Sequence, residues 1–143
     1  TALYLIAIGW FITGIRPPDS AKRETPKISV VVAARNEVDA IGDCLEDLLH
    51  QTYPAEAYEI IVVDDGSTDG TAHIVRQKVG TGKILKLLSV PDAGLRAGSK
   101  KDALSLGIEA AKGKIILTTE IYNRVFSKNE ANIISNIVEI FHH

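Results

Sequence analysis

Methionine is absent from the 143 residues and cysteine occurs once, so neither a disulfide framework nor a thiolate metal cluster can be drawn from this chain. The lone thiol, Cys44, falls on the apolar side of a helical pattern, where the expected role is that of a small buried hydrophobe. Charge of one sign is also missing: 16 basic side chains oppose 18 acidic ones without a long run of either, for a net charge of -2. Electrostatics gives no reason to expect a nucleic-acid partner. The histidines, at 50, 73, 142 and 143, show no ligand spacing. Two phosphate-cradling loops are absent as well: the Gly-x-Gly-x-x-Gly of dinucleotide binders and the Gly-x-x-x-x-Gly-Lys-Ser/Thr of P-loops. What is present, 45% hydrophobic and 24% charged residues, suits one compact domain and is too little for two.

The amino terminus stands apart. Residues 2–15 (ALYLIAIGWFITGI) carry no charge and include Tyr4 and Trp10, side chains that favour a membrane interface. At about 1.5 Å per residue the stretch reaches about two thirds of the roughly 30 Å hydrocarbon core. The chain starts at Thr1 and has no methionine, so upstream sequence is expected, and residues 1–15 are expected to be the end of a transmembrane helix. Arg16, Lys22, Arg23 and Lys27 follow, which by the positive-inside tendency puts the remainder on the cytoplasmic side. The alternatives are a signal-peptide core and a helix packed on the domain. The first is weakened because basic residues follow the apolar run and no small-residue cleavage site is evident. Residues 16–26, polar and with three prolines, are expected to be a linker, and 27–143 the domain.

Within that domain, short runs rich in Val and Ile alternate with helical patterns, as buried parallel strands and their crossovers do. Strands are predicted at 28–33, 58–63, 84–90 and 114–118. The first helix carries Ile41, Cys44, Leu45, Leu48 and Leu49, with Asn36 as its expected cap. The second, capped by Ser67, Thr68 or Asp69, runs to about Lys78. A third opens at Ser99-Lys-Lys-Asp102, in the form of a capping box, and a fourth at Ser127-Lys-Asn-Glu130. Four strands joined by right-handed crossovers build half of a doubly wound sheet, in the order 3-2-1-4 with flanking helices. The direction of winding reverses between strands one and four. Ligands bind at such a switch point, outside the carboxyl ends of the strands, which gathers 33–37, 64–65 and 119–122 around one crevice.

The chemistry there suits a nucleotide. An acidic residue ending the second strand accepts hydrogen bonds from a ribose or a base. Lys100 and Lys101, at the amino end of the third helix, are placed for phosphates, and Glu120 after strand four is the carboxylate placed for a divalent cation. The bland alternatives are that Asp64 and Asp65 cap the next helix, that Glu37 stabilises a helix dipole and that the lysines are solvated.

Val30-Val-Val-Ala-Ala-Arg-Asn-Glu37, Gln51-Thr-Tyr-Pro54, Ile61-Val-Val-Asp-Asp-Gly-Ser-Thr-Asp-Gly-Thr71 and Lys100-Lys-Asp-Ala-Leu-Ser-Leu-Gly107 together resemble the amino-terminal half of the family 2 glycosyltransferases, over about residues 26–125. The resemblance implies the nucleotide-sugar-binding part of a glycosyltransferase A fold, incomplete at the carboxyl end. It also implies a UDP-sugar donor, Mg2+ or Mn2+, a lipid or polysaccharide acceptor and inversion at the anomeric carbon. By position, Ala33, Ala34 and Glu37 would line the uridine and ribose pocket, Asp65 would hold the base edge or ribose, Asp64 would support the loop and Lys100 would lie near the diphosphate. Two departures matter. The family's Asp-x-Asp after strand four stands here as Glu120-Ile-Tyr122, and a phenol is a poor ligand for a hard cation. The acceptor half, with its general-base carboxylate, is expected in sequence beyond His143. The competing reading is a non-catalytic nucleotide-binding or assembly module with a degenerate metal site. A receiver-like signalling domain is disfavoured, because its acidic pair would follow strand one, where Arg35-Asn36-Glu37 stands.

Overall fold

The computed structural model describes residues 25–80, 84–91, 99–121 and 134. Along these run β1 (Ile28–Ala34), α1 (Ile41–Leu49), a 3-10 turn (Ala55–Ala57), β2 (Tyr58–Asp64), α2 (Thr71–Val79), β3 (Leu85–Ser89), α3 (Lys100–Ala110) and β4 (Ile115–Glu120). The four strands form one sheet in the order β3-β2-β1-β4, with every described pairing parallel. This is the order expected from the crossovers. β4 continues two residues past its expected end and β3 is shorter than expected at both ends.

Side chains of a strand alternate between the two faces of the sheet, and that alternation sorts the core into two layers. Ile28, Val30, Val32 and Ala34 of β1 and Tyr58, Ile60 and Val62 of β2 pack with Ile41, Leu45 and Leu48 of α1 and Val75 of α2. Cys44 lies at the edge of this layer, and burial pushes its thiol up to about 11, which suits the packing role. The odd-numbered residues Val31, Ile61 and Val63 face the other way, against Ala103 of α3. Both central strands are therefore covered on both sides, which is why they are apolar runs and not alternating ones. Each fully buried Val, Ile or Leu contributes about 1.5–3 kcal/mol relative to exposure.

At the amino-terminal edge of the sheet the odd-numbered face turns polar. Buried Ser29 donates its hydroxyl to Glu59 Oε1 at 2.6 Å and accepts the Gly113 N–H at 2.8 Å. The same Glu59 oxygen accepts the Lys112 N–H at 2.8 Å, and Lys86 Nζ lies 2.5 Å from Oε2. One carboxylate thus ties β1, β2, β3 and the α3–β4 connection together. Burial opposes its ionisation, but the bonds from Lys86, Ser29 and the Lys112 N–H outweigh burial and hold it below the usual 4.5. A lowered folded-state value means that the folded form binds fewer protons than the unfolded one. The stabilisation is therefore full above about pH 4.5 and is lost as pH falls through the lower folded value. Urea midpoints at pH 7 and pH 3 should differ less in Glu59→Gln than in the unsubstituted chain. An equal acid loss in both would remove Glu59 from this role.

Three helix starts differ from expectation. Asn36 does not cap α1, whose N-cap is Ala40, because Asn36 takes a left-handed backbone at φ 52 and turns the chain before a further turn at 38–40. α2 has Gly70 at its N-cap without a side-chain cap, and Asp69 reaches the Thr71 N–H from one position earlier. Ser99 is the N-cap of α3, but its backbone oxygen, not its hydroxyl, accepts from Asp102 and Ala103, so the capping box is not closed. The predicted segment 1–15, nearly all of the linker, and the helix from Ser127 lie outside the described residues apart from Ile134, which is buried in the first layer. Among the described residues, no helix is long and apolar enough to cross a membrane.

Candidate functional site

Parallel pairing brings the carboxyl ends of β1, β2 and β4 side by side. Ala33 is in register with Val63 on one side and Glu120 on the other, and Ala34 with Asp64. The Asp65 N–H continues the ladder by donating to the Ala34 carbonyl at 2.9 Å. Glu120 is thus one strand from Ala33 and two from the Asp64-Asp65 pair, at about 4.8 Å per strand. Ala33 is half-buried and packs against the second core layer at this end of the sheet.

The adjacent aspartates have different surroundings. Asp64 Oδ1 accepts the Ser67 N–H at 3.3 Å and closes the turn in which Gly66 sits at φ 70. Asp64 supports the loop. Asp65 is 6% exposed, and its side-chain partner is the half-exposed Arg35, with Nη1 to Oδ2 at 3.5 Å. That distance is at the limit of a hydrogen bond, so the carboxylate is desolvated without being firmly held. A carboxylate in that state is available to a better donor.

The loops after β1 and β2 are laced together. The Glu37 N–H donates to Thr71 Oγ1 at 2.9 Å, and the Glu37 carbonyl accepts from Ala40 and Ile41, which starts α1. Asp69 takes the Val38 N–H at 3.2 Å and the Thr71 N–H at 2.9 Å; its carboxyl is held below the usual range, first by the Thr71 hydroxyl. Lys100, exposed, is the first residue of α3. Of the expected residues, the structure thus places Ala33, Ala34, Glu37, Asp64 and Asp65 at adjoining strand ends, with Glu120 in register beside them and Lys100 at the helix start. Sequence reasoning gathered Arg35 and Asn36 at the strand ends but gave Arg35 no role and Asn36 only that of a helix cap, and it gave Thr71 none. The signal that could have pointed to the loop role of Asn36 is the tolerance of asparagine for left-handed backbone.

A hard cation needs several oxygen ligands. Among the described residues, no group of three or more His, Cys, Asp or Glu side chains could hold a metal ion. Glu120 is the one carboxylate at the end of β4, and the sequence puts Tyr122 where a second would be needed. The described donor set does not make a cation site.

A parallel sheet with its winding reversed between two central strands defines a doubly wound α/β protein, the class whose ligands bind outside the carboxyl ends of the strands. The family model for glycosyl transferase family 2 matches residues 29–120, more than half of the chain, and the chain belongs to that family. A poly(ribitol-phosphate) beta-glucosyltransferase of Bacillus spizizenii is 38% identical over 92 residues, covering 64% of this chain and 14% of that protein. The mannosyltransferase PcManGT of Pyrobaculum calidifontis, solved with GDP-Man and Mn2+, superposes with a TM-score of 0.70 at 27% identity, covering 96% of this chain and 39% of that one. S. aureus TarS 1-349, solved with UDP, gives 0.62 at 25% identity, covering 81% and 33%. The four-stranded sheet with its helices is the glycosyltransferase A arrangement of these neighbours. The chain spans well under half the length of the relatives it matches.

Proposed function

We propose that this chain is the donor-binding part of a glycosyltransferase that moves a sugar from a nucleoside diphosphate, UDP in the first instance, to a lipid or polysaccharide acceptor with inversion. The observation that carries the reading is Asp65: a buried carboxylate at the end of β2, loosely held, beside the small residues Ala33 and Ala34. An ionised carboxylate only accepts hydrogen bonds. It therefore selects groups that donate, such as a ribose diol or the N–H edge of uracil or guanine. Glu37 and Ala33 line the same end, and Lys100 at the amino end of α3 offers a charge and a helix terminus to the diphosphate. The general base is assigned to sequence outside this chain, and residues 1–15 to a membrane anchor that keeps the domain at the cytoplasmic face.

A second reading rests on Glu120-Ile121-Tyr122, whose single carboxylate favours a nucleotide-binding or assembly module without transfer. Titration of the chain with UDP and GDP by calorimetry, each with and without Mn2+, separates these. Saturable one-to-one binding tightened by Mn2+ supports the donor part of a transferase, and the same binding indifferent to Mn2+ supports the module. No binding of either nucleotide in either buffer rejects both.

A further inference from the structure

We infer that Asn36 is a positioning residue for the donor site: it locks the loop after β1 onto the loop after β2 and so holds Arg35, Glu37 and Asp65 in place before a ligand arrives. This rests on the reading that these strand ends receive a nucleotide. Asn36 is exposed and makes no core contact, yet it adopts the left-handed backbone, a sparsely populated state that asparagine tolerates better than most side chains. Unpaired, such a residue would simply relax.

It is paired with two residues across the fold, through three hydrogen bonds, the weakest from the Thr68 hydroxyl to its side-chain oxygen at 3.4 Å. Its N–H donates to Ser67 Oγ at 3.0 Å, and its side-chain oxygen accepts the Thr68 N–H at 2.8 Å. The next two N–H groups follow suit, Glu37 to Thr71 Oγ1 at 2.9 Å and Val38 to Asp69 Oδ2 at 3.2 Å. Three consecutive backbone donors, which an ordinary loop leaves to water, are thus taken by side chains some thirty residues away. A left-handed residue beside ordinary ones is a backbone state that lets successive N–H groups point one way. Gly70 completes the fit, since a Cβ there would lie 3.2 Å from Val38 Cγ2.

The consequence falls on the neighbours of Asn36. Arg35, one residue before, reaches Asp65, and Glu37, one residue after, is tied by its N–H to Thr71 at the start of α2. Freeing Asn36 lets both move, so a ligand must first bear the entropy of ordering them. The lock contributes little to the core, because the bonds of Asn36 itself are exposed ones. Affinity and stability should therefore separate.

Three variants of the full chain test this. Asn36→Gly keeps the left-handed backbone and deletes the acceptor, Asn36→Ala loses both, and Ser67→Ala removes the acceptor of the Asn36 N–H. UDP affinity by calorimetry, thermal midpoints, and hydrogen exchange at the amides of Glu37, Val38 and Thr68 are measured together. The expected result is a loss of about tenfold for Asn36→Ala and less for the other two, midpoints within a few degrees, and faster exchange in both loops at once. Unchanged affinity with faster exchange overturns the positioning role, and so does an affinity loss that only tracks the midpoint. Unchanged exchange shows that there is no lock. Should the unsubstituted chain bind no nucleoside diphosphate, the donor-site reading itself falls and the positioning role with it, whatever the exchange data show of the loops.

Discussion

Asp65→Ala is expected to lower nucleoside diphosphate affinity by about 10- to 100-fold while leaving the unfolding midpoint nearly unchanged. A hydrogen bond to a charged group is worth about 1.5–3 kcal/mol, and each factor of ten corresponds to about 1.4 kcal/mol. The small stability effect follows from what Asp65 does in the free protein. Its partner Arg35 is half-exposed and 3.5 Å away, and pairs of that kind contribute about 0.2–1 kcal/mol. Removing the carboxylate also removes the cost of its burial, which offsets part of that. Asp64→Ala should behave in the opposite way, because Asp64 closes the Gly66 turn through the Ser67 N–H. It should lower the midpoint and weaken binding only as far as the loop frays. Calorimetry and thermal unfolding on the two variants give the comparison, and undiminished affinity in Asp65→Ala takes that residue out of the site.

The strand order was legible because the signals that set it are local. The unbroken apolar runs Val30–Ala34 and Ile60–Val63 within the two central strands announce burial on both faces, and the helical patterns between strands leave right-handed crossovers as the simplest connection. The convergence of Ala33, Ala34 and Asp65 then follows from parallel register. What was not legible depends on residues distant in sequence. Asn36 looked like a helix cap, since asparagine before an apolar period has that meaning, but its partners Ser67 and Thr68 lie 31 and 32 positions on and overrode the local preference. The Ser29, Glu59 and Gly113 cluster was likewise invisible. A serine and a glutamate in a strand signal nothing until α3 and the turn after it return across them.

Gly113→Ala is expected to destabilise the chain by about 3 kcal/mol, the upper end of what overpacking usually costs. A Cβ at position 113 would lie 2.4 Å from Ser29 N, 2.6 Å from the Ile28 carbonyl carbon and 2.8 Å from Ser29 Oγ. Two of these are backbone atoms of a central strand paired on both sides, so no rotamer relieves the contact. The connection must lift away, and the Gly113 bond to Ser29 and the Lys112 bond to Glu59 go with it. Gly107 offers the contrast. There the added Cβ would meet side chains, Val31 Cγ1 at 2.3 Å and Val63 Cγ2 at 3.0 Å, while alanine in mid-helix gains about 1 kcal/mol of propensity. Gly107→Ala should therefore cost less, and Val31→Ala, which vacates the space, should recover part of the loss in the double variant. No side-chain substitution at Ser29 should rescue Gly113→Ala, because its nearest contacts are backbone. Urea denaturation of the single and double variants decides it, and a Gly113→Ala midpoint within error of the parent would show that the connection is free to move. Since α3 begins at Lys100, seven residues before Gly107, lifting this helix off Val31 also moves the cation proposed for the diphosphate. Packing at one glycine is in this way expected to couple to the proposed donor site.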